Sequence, residues 1–200
     1  MKAQFVWPAT CAALIVACAV FWFAARGGAI GPQDWVWHAS DGLGRPWTLW
    51  SSALVHHLPP HGIGNVLALA ALAVLGHTLA ATPNDAAALL LAWPLSALAL
   101  FLWPQVTGFH GLSGVVHAAV AIVAMRAAAD PAMRWLGQFL ALGLLFKLAL
   151  EHGWAAPVGY HSDWGFNVVY AAHLTGALAG FLFAGLFWLF SSGGKGAPPS

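Results

Sequence analysis

Six stretches of this chain are apolar enough, and long enough or nearly so, to cross a lipid bilayer as helices: Phe5–Ala25, His61–Ala80, Ala86–Trp103, Ser113–Ala129, Ala132–Glu151 and Val168–Phe190. A hydrocarbon layer about 30 Å thick takes about 20 helical residues at about 1.5 Å each. Inside that layer no water completes an open backbone hydrogen bond, so such segments must close their bonds internally as helices. The fourth segment is short and rich in small residues, as suits a helix enclosed by other helices. Charge points to the same class. Only 6% of the 200 residues are charged and 60% are hydrophobic, whereas a soluble domain carries about 25% charged residues to face water. The expected fold is an all-α membrane protein, a bundle of six transmembrane helices. It forms one membrane domain over residues 1–190, followed by a Gly-, Ser- and Pro-rich tail over 191–200 that is expected to be disordered. A formal net charge of +1 without a basic stripe argues against a nucleic-acid partner.

Between the first two spans, Arg26–Pro60 carries Trp35, Trp37, Trp47 and Trp50. Indoles satisfy an apolar ring and an N–H together at the headgroup layer, so this loop is expected to lie partly in the interface rather than project into solvent. Thr82–Asp85 and Ala129–Pro131 read as short turns broken by Pro83 and Pro131, and Gly153–Asn167 as a mobile outer loop. Lys2, the apolar run and Ala24-Ala25 resemble a secretion signal, but with five further spans the segment reads as the first anchor. With six spans both termini share one side. Placing them in the cytoplasm puts Lys2, Arg126, Arg134 and Lys195 inside and Arg26 and Arg45 outside, the sign the positive-inside rule requires. Cys11 and Cys18 stand two turns apart on one helix face, too far for a bridge, and are expected as small core residues. The chain has no internal repeat of the kind that inverted-repeat transporters show.

Three polar motifs interrupt the spans: His61-x-x-x-Asn65, Gly111-Leu112-Ser113-Gly114, and Ala172-His173-x-x-Gly176-x-x-x-Gly180. Under the topology above all three fall at outer ends, on spans two, four and six. Ser113 opens its helix, where backbone N–H groups are unpaired and attract developing negative charge. Gly111 and Gly114 beside it let another backbone approach. His173, Gly176 and Gly180 share one helix face, so close packing there carries the histidine into the contact. A serine hydroxyl becomes a nucleophile when such a base takes its proton. Asn65 follows His61 by one turn, and both can donate, with the Ser113 N–H, to an oxyanion. Each motif alone also has a structural reading: small-residue packing for the serine and His173 motifs, and a wet helix end, the more natural reading of a lone pair, for His61 and Asn65. Their conjunction points to peptide hydrolysis inside the membrane, with Ser113 as nucleophile and His173 as base.

These motifs resemble the rhomboid intramembrane serine proteases over nearly the whole chain. Trp47-Thr-Leu-Trp-Ser-Ser-Ala-Leu-Val-His56 is similar to that family's segment before span two, His56 and His61 to its spaced histidines, and Asn65 to its asparagine. Thr48 departs from the pattern, which has arginine after the tryptophan. His117, the Lys147/Glu151 pair and the compact length resemble the rhombosortases most. The resemblance implies a rhomboid-like bundle in a bacterial inner membrane, its site towards the periplasm. The implied substrates are secreted proteins whose tail holds Gly-Gly, a membrane helix and a basic end. The expected partners are thus a membrane-anchored protein and the bilayer itself.

Four further residues stay open. His117, one turn after Ser113, is a rival base. His57, four before His61, lacks a third metal ligand at a recognisable spacing, so no metal and no cofactor are expected. Lys147 and Glu151 are either a snorkelling pair or a functional one. No acid stands on the span of His173, and Asp163 lies in a loop, so a Ser–His pair without a carboxylate is expected. Two rivals are a non-catalytic rhomboid-like protein that binds membrane helices and a bis-histidine haem carrier, given ten histidines.

Overall fold

The computed structural model describes residues 2–162 and 165–193. It is a largely helical bundle. Its α-helices are α1 (Val6–Arg26), α2 (Thr48–Ser51), α3 (Pro59–Thr78), α4 (Pro83–Leu98), α5 (Ser113–Ala129), α6 (Arg134–Glu151) and α7 (Tyr170–Gly193). Among the described residues, four stretches are long and apolar enough to cross a membrane: Ala3–Arg26, Pro59–Thr78, Pro83–Leu102 and Tyr170–Phe190. The other two expected spans differ from these four in length and charge. Helix α5 has 17 residues, and α6 carries Arg134, Lys147 and Glu151 within 18.

Helix α5 is the axis of the bundle, packed against α3, α4, α6 and α7. Its alanines and valines are buried on nearly every side, which is why the segment shows no apolar stripe. Helix α1 docks on α3 through Trp7, whose ring fills the space left by Gly76 and whose Nε1–H donates to the Leu72 carbonyl at 3.0 Å. Cys11 and Cys18 are buried on the same face as free thiols, as expected. Large apolar side chains such as Phe23, Val74, Phe139, Phe146 and Phe190 face outward, a surface that suits lipid rather than water. Helix α4 starts at Pro83 because Thr82 and Asp85 form a capping box, so the expected turn is the first turn of the helix.

The tryptophans of the long first loop divide between surface and core. Trp47 and Trp50 are exposed, but Trp37 is fully buried, edge-on to Phe101 at 5.0 Å. The reason is pairing: β1 (Trp37–His38) runs antiparallel to β2 (Gly108–Phe109), with Trp37 opposite Phe109. Thr48 donates its hydroxyl to the Arg45 carbonyl at 2.7 Å. Arg45 in turn pairs with Asp41 at 3.2 Å. The segment expected as a plain loop over Gly153–Asn167 contains a hairpin of β3 (Gly159–His161) and β4 (Phe166–Val168), registered Tyr160 to Asn167. Asp163 lies outside the described residues. Helix α7 continues through Gly193, and the rest of the tail, 194–200, also lies outside them.

Candidate active site

The N-terminal ends of α3, α5 and α7 meet at one end of the bundle, and the three sequence motifs meet with them. Helices α5 and α7 run parallel and touch backbone to backbone. A methyl at Gly176 would stand 2.1 Å from the Gly114 carbonyl oxygen, and one at Gly180 would stand 2.5 Å from that of Ala118. At the top of the seam a methyl on Gly114 would meet the Ala172 carbonyl oxygen at 3.1 Å. Ser113 and His173 are the chain neighbours of those two touching residues.

His173 is buried, and its Nδ1–H donates to Glu151 Oε2 at 2.9 Å. The other carboxylate oxygen of Glu151, Oε1, takes the ammonium of Lys147 one turn earlier on α6. The expectation of a histidine without a carboxylate is therefore corrected: α6, rather than the histidine's own helix, supplies one. His117 stacks face to face on His173, with ring centroids 4.2 Å apart and planes at 10°. Its Nδ1–H donates to the carbonyl of Ser113 at 2.7 Å, a bond back along its own helix. Both rings thus keep Nδ1 as donor and leave Nε2 with its lone pair. Ser113 Oγ makes no hydrogen bond to either ring in this structure.

His117, Glu151 and His173 bring candidate ligand atoms within 4.8 Å of one another, a donor set that suits a transition metal. The stacking works against convergence, because nearly parallel rings send their lone pairs along parallel planes rather than to one point. The same contact leaves no space for a porphyrin between the two imidazoles, so this pair does not form a bis-histidine haem site.

His56 organises the other wall. Its Nε2 accepts from the Leu112 N–H at 3.2 Å and from Asn65 Nδ2 at 3.3 Å, while its Nδ1–H donates to the Leu54 carbonyl at 3.3 Å. Three bonds fix one neutral tautomer, and burial pushes its pKa down to about 4. The Gly111 N–H donates to Ser52 O at 2.9 Å. Gly111 has φ +108°, and a methyl there would lie 2.7 Å from Cε1 of His61, so only glycine lets the turn close on that ring.

A cavity of about 480 Å³ opens at this end. Ser113, His61, His38, His57, His110 and Gln105 line it, with the β4 strand on one side. Of the sequence candidates, Ser113 and His61 face it directly. Asn65 and His56 bond to each other behind it, while His173, His117, Glu151 and Lys147 form the connected group along α5. Sequence reasoning passed over His110, which touches His57 at 4.3 Å and whose pKa burial pushes down to about 3. The available signal was its position just before Gly111. Compared with known proteins, the chain matches no family model and none of the curated proteins.

Proposed function

We propose that this chain is a membrane-embedded serine endopeptidase of the rhomboid type, six helices in the bilayer, with Ser113 as nucleophile and His173 as base. One observation carries the reading. The ring of His173 stacks on His117, one turn after Ser113, where the glycine seam joins α5 to α7, while Ser113 faces a polar cavity. Rotation of the serine side chain, as substrate enters, brings Oγ to the free Nε2. Oγ then attacks the scissile carbonyl, and the proton passes to His173 and on to the leaving amine. The Ser113 N–H, His61 and the second hydrogen of the Asn65 amide are the oxyanion donors. In the cell the chain sits in a bacterial inner membrane with cytoplasmic termini and a periplasmic site. Its substrates are membrane-anchored proteins cut near a C-terminal helix, with Gly-Gly tails of the rhombosortase kind.

The test is labelling with a fluorophosphonate probe in detergent. Wild type labels, and Ser113→Ala and His173→Ala do not. Failure of folded wild type to label favours a non-catalytic protein that binds membrane helices. The His117, Glu151 and His173 donor set supports a second reading, a bound transition metal at these side chains. Metal analysis of protein purified without chelator decides it, since stoichiometric metal lost in His117→Ala supports that reading and its absence refutes it.

A further inference from the structure

We propose that Glu151 is a positioning residue for His173, making the site a Ser–His–Glu triad whose carboxylate comes from a separate helix. This rests on the reading of Ser113 and His173 as nucleophile and base. Glu151 closes the C-terminal end of α6, where a carboxylate has free access to the bilayer surface, and Lys147 is its natural i,i+4 partner. An ion pair serving only its own helix would turn its second oxygen to water. Instead the Glu151 side chain is 13% exposed, and that oxygen receives the Nδ1–H of a histidine whose own side chain is 7% exposed, on another helix. The two carboxylate oxygens are divided, one to Lys147 and one to His173.

The consequence is chemical. With Nδ1 protonated and held, Nε2 is the only basic nitrogen, and the ring cannot rotate away. When Oγ of Ser113 bonds to the carbonyl carbon, its proton passes to Nε2 and the imidazolium is formed beside a carboxylate that stays ionised. The carboxylate takes no proton at any step. Lys147 holds its other oxygen and is half exposed, so it is the more replaceable of the two.

Two measurements test this. The first is the rate of fluorophosphonate labelling for wild type, Glu151→Gln, Glu151→Asp and Lys147→Gln, each checked for an unchanged melting transition. Glu151→Gln is expected to label on the order of 10²-fold more slowly or worse, because the amide can present its NH₂ and reverse the tautomer. Glu151→Asp regains at least tenfold over Glu151→Gln, and Lys147→Gln loses less than tenfold. Equal rates for wild type and Glu151→Gln overturn the inference and leave the nucleophile and base standing. The second measurement does not need activity. Ring-¹⁵N-histidine spectra, with the His173 signal identified by its loss in His173→Ala, should show a strongly deshielded Nδ1 proton that disappears in Glu151→Gln. The same signal in both proteins overturns the inference even if wild type never labels, and that last outcome separately refutes the peptidase reading.

Discussion

Replacing Gly176 by alanine tests whether the α5–α7 seam sets the geometry of the site. The added methyl would stand 2.1 Å from the Gly114 carbonyl oxygen and 2.8 Å from its carbon, where ordinary contact begins at 3.4 Å. The shortfall is about 1.3 Å against the oxygen, the difference of those two figures. The neighbour is helix backbone, which cannot swing aside as a flexible side chain would, so the two helices must part. Overpacking of this kind costs about 1–3 kcal/mol. A catalytic group displaced by about 1 Å costs on the order of 10²-fold in rate. Probe labelling of Ser113 should therefore fall about 10²-fold, with a lower melting temperature. Gly180→Ala makes a smaller clash, 2.5 Å from Ala118 O, one turn further from the site. It should destabilise similarly but label faster than Gly176→Ala. Gly143→Ala is the control, because its methyl would meet nothing within 4 Å. Wild-type melting and labelling in Gly176→Ala would refute the argument that this seam holds the site together.

Three further predictions concern stability. His56 has a pKa of about 4 in the fold against 6.5 when free, so the unfolded chain takes the proton first. Its contribution is complete above pH 6.5 and is lost as the pH falls towards 4, a change of about 3 kcal/mol at about 1.4 kcal/mol per unit. His110 acts in the same direction down to about 3, so melting scans from pH 7 to 4 should keep part of their slope in His56→Gln. An unchanged slope in that variant would remove His56 from the account. Trp7→Phe gives up the bond to Leu72 O and leaves that buried carbonyl one partner short, which should cost about 1–2 kcal/mol in thermal unfolding with no effect on labelling. Thr82→Ala removes the capping box of α4 and should cost about 1 kcal/mol by the same measurement.

The helical plan was legible because its cause is local. Spans such as Phe5–Ala25 and Ser113–Ala129 match observed helices within a residue or two, since backbone closure and apolar length act along the chain. Thr82 and Asp85 show the limit of turn reading: the residues were seen, but their reciprocal bonds make a helix start rather than a break. Trp37 marks a harder limit. Its alternatives, headgroup layer or core, differ only by its pairing with Phe109, a residue 72 positions away. The site divides the same way. The glycines of α7 announced a close helix contact without saying with which helix. Glu151 could be recognised as an unusual charge in an apolar segment, yet its partner is 22 positions on, and nothing in helical spacing connects α6 to His173.

Asn65 is where the two walls of the site become one argument. Its amide nitrogen has two hydrogens, and one donates to His56 Nε2 at 3.3 Å. That bond fixes the direction of the other, so Asn65 can serve as an oxyanion donor only while His56 holds it. His56 also accepts from the Leu112 N–H, one residue before Ser113, the proposed nucleophile, and thereby ties the amide to the turn that presents it. The two residues should therefore be coupled. Asn65→Ala alone should slow labelling by about 10²–10³-fold, the usual effect of losing one oxyanion donor. In a His56→Ala background, where the amide is already released, the same substitution should cost less than about tenfold, a non-additivity expected of residues in one network. Losses that simply multiply would show that Asn65 acts without His56. An Asn65→Ala protein that labels at the wild-type rate would remove the residue from the oxyanion site and leave it as the brace of the His56 wall.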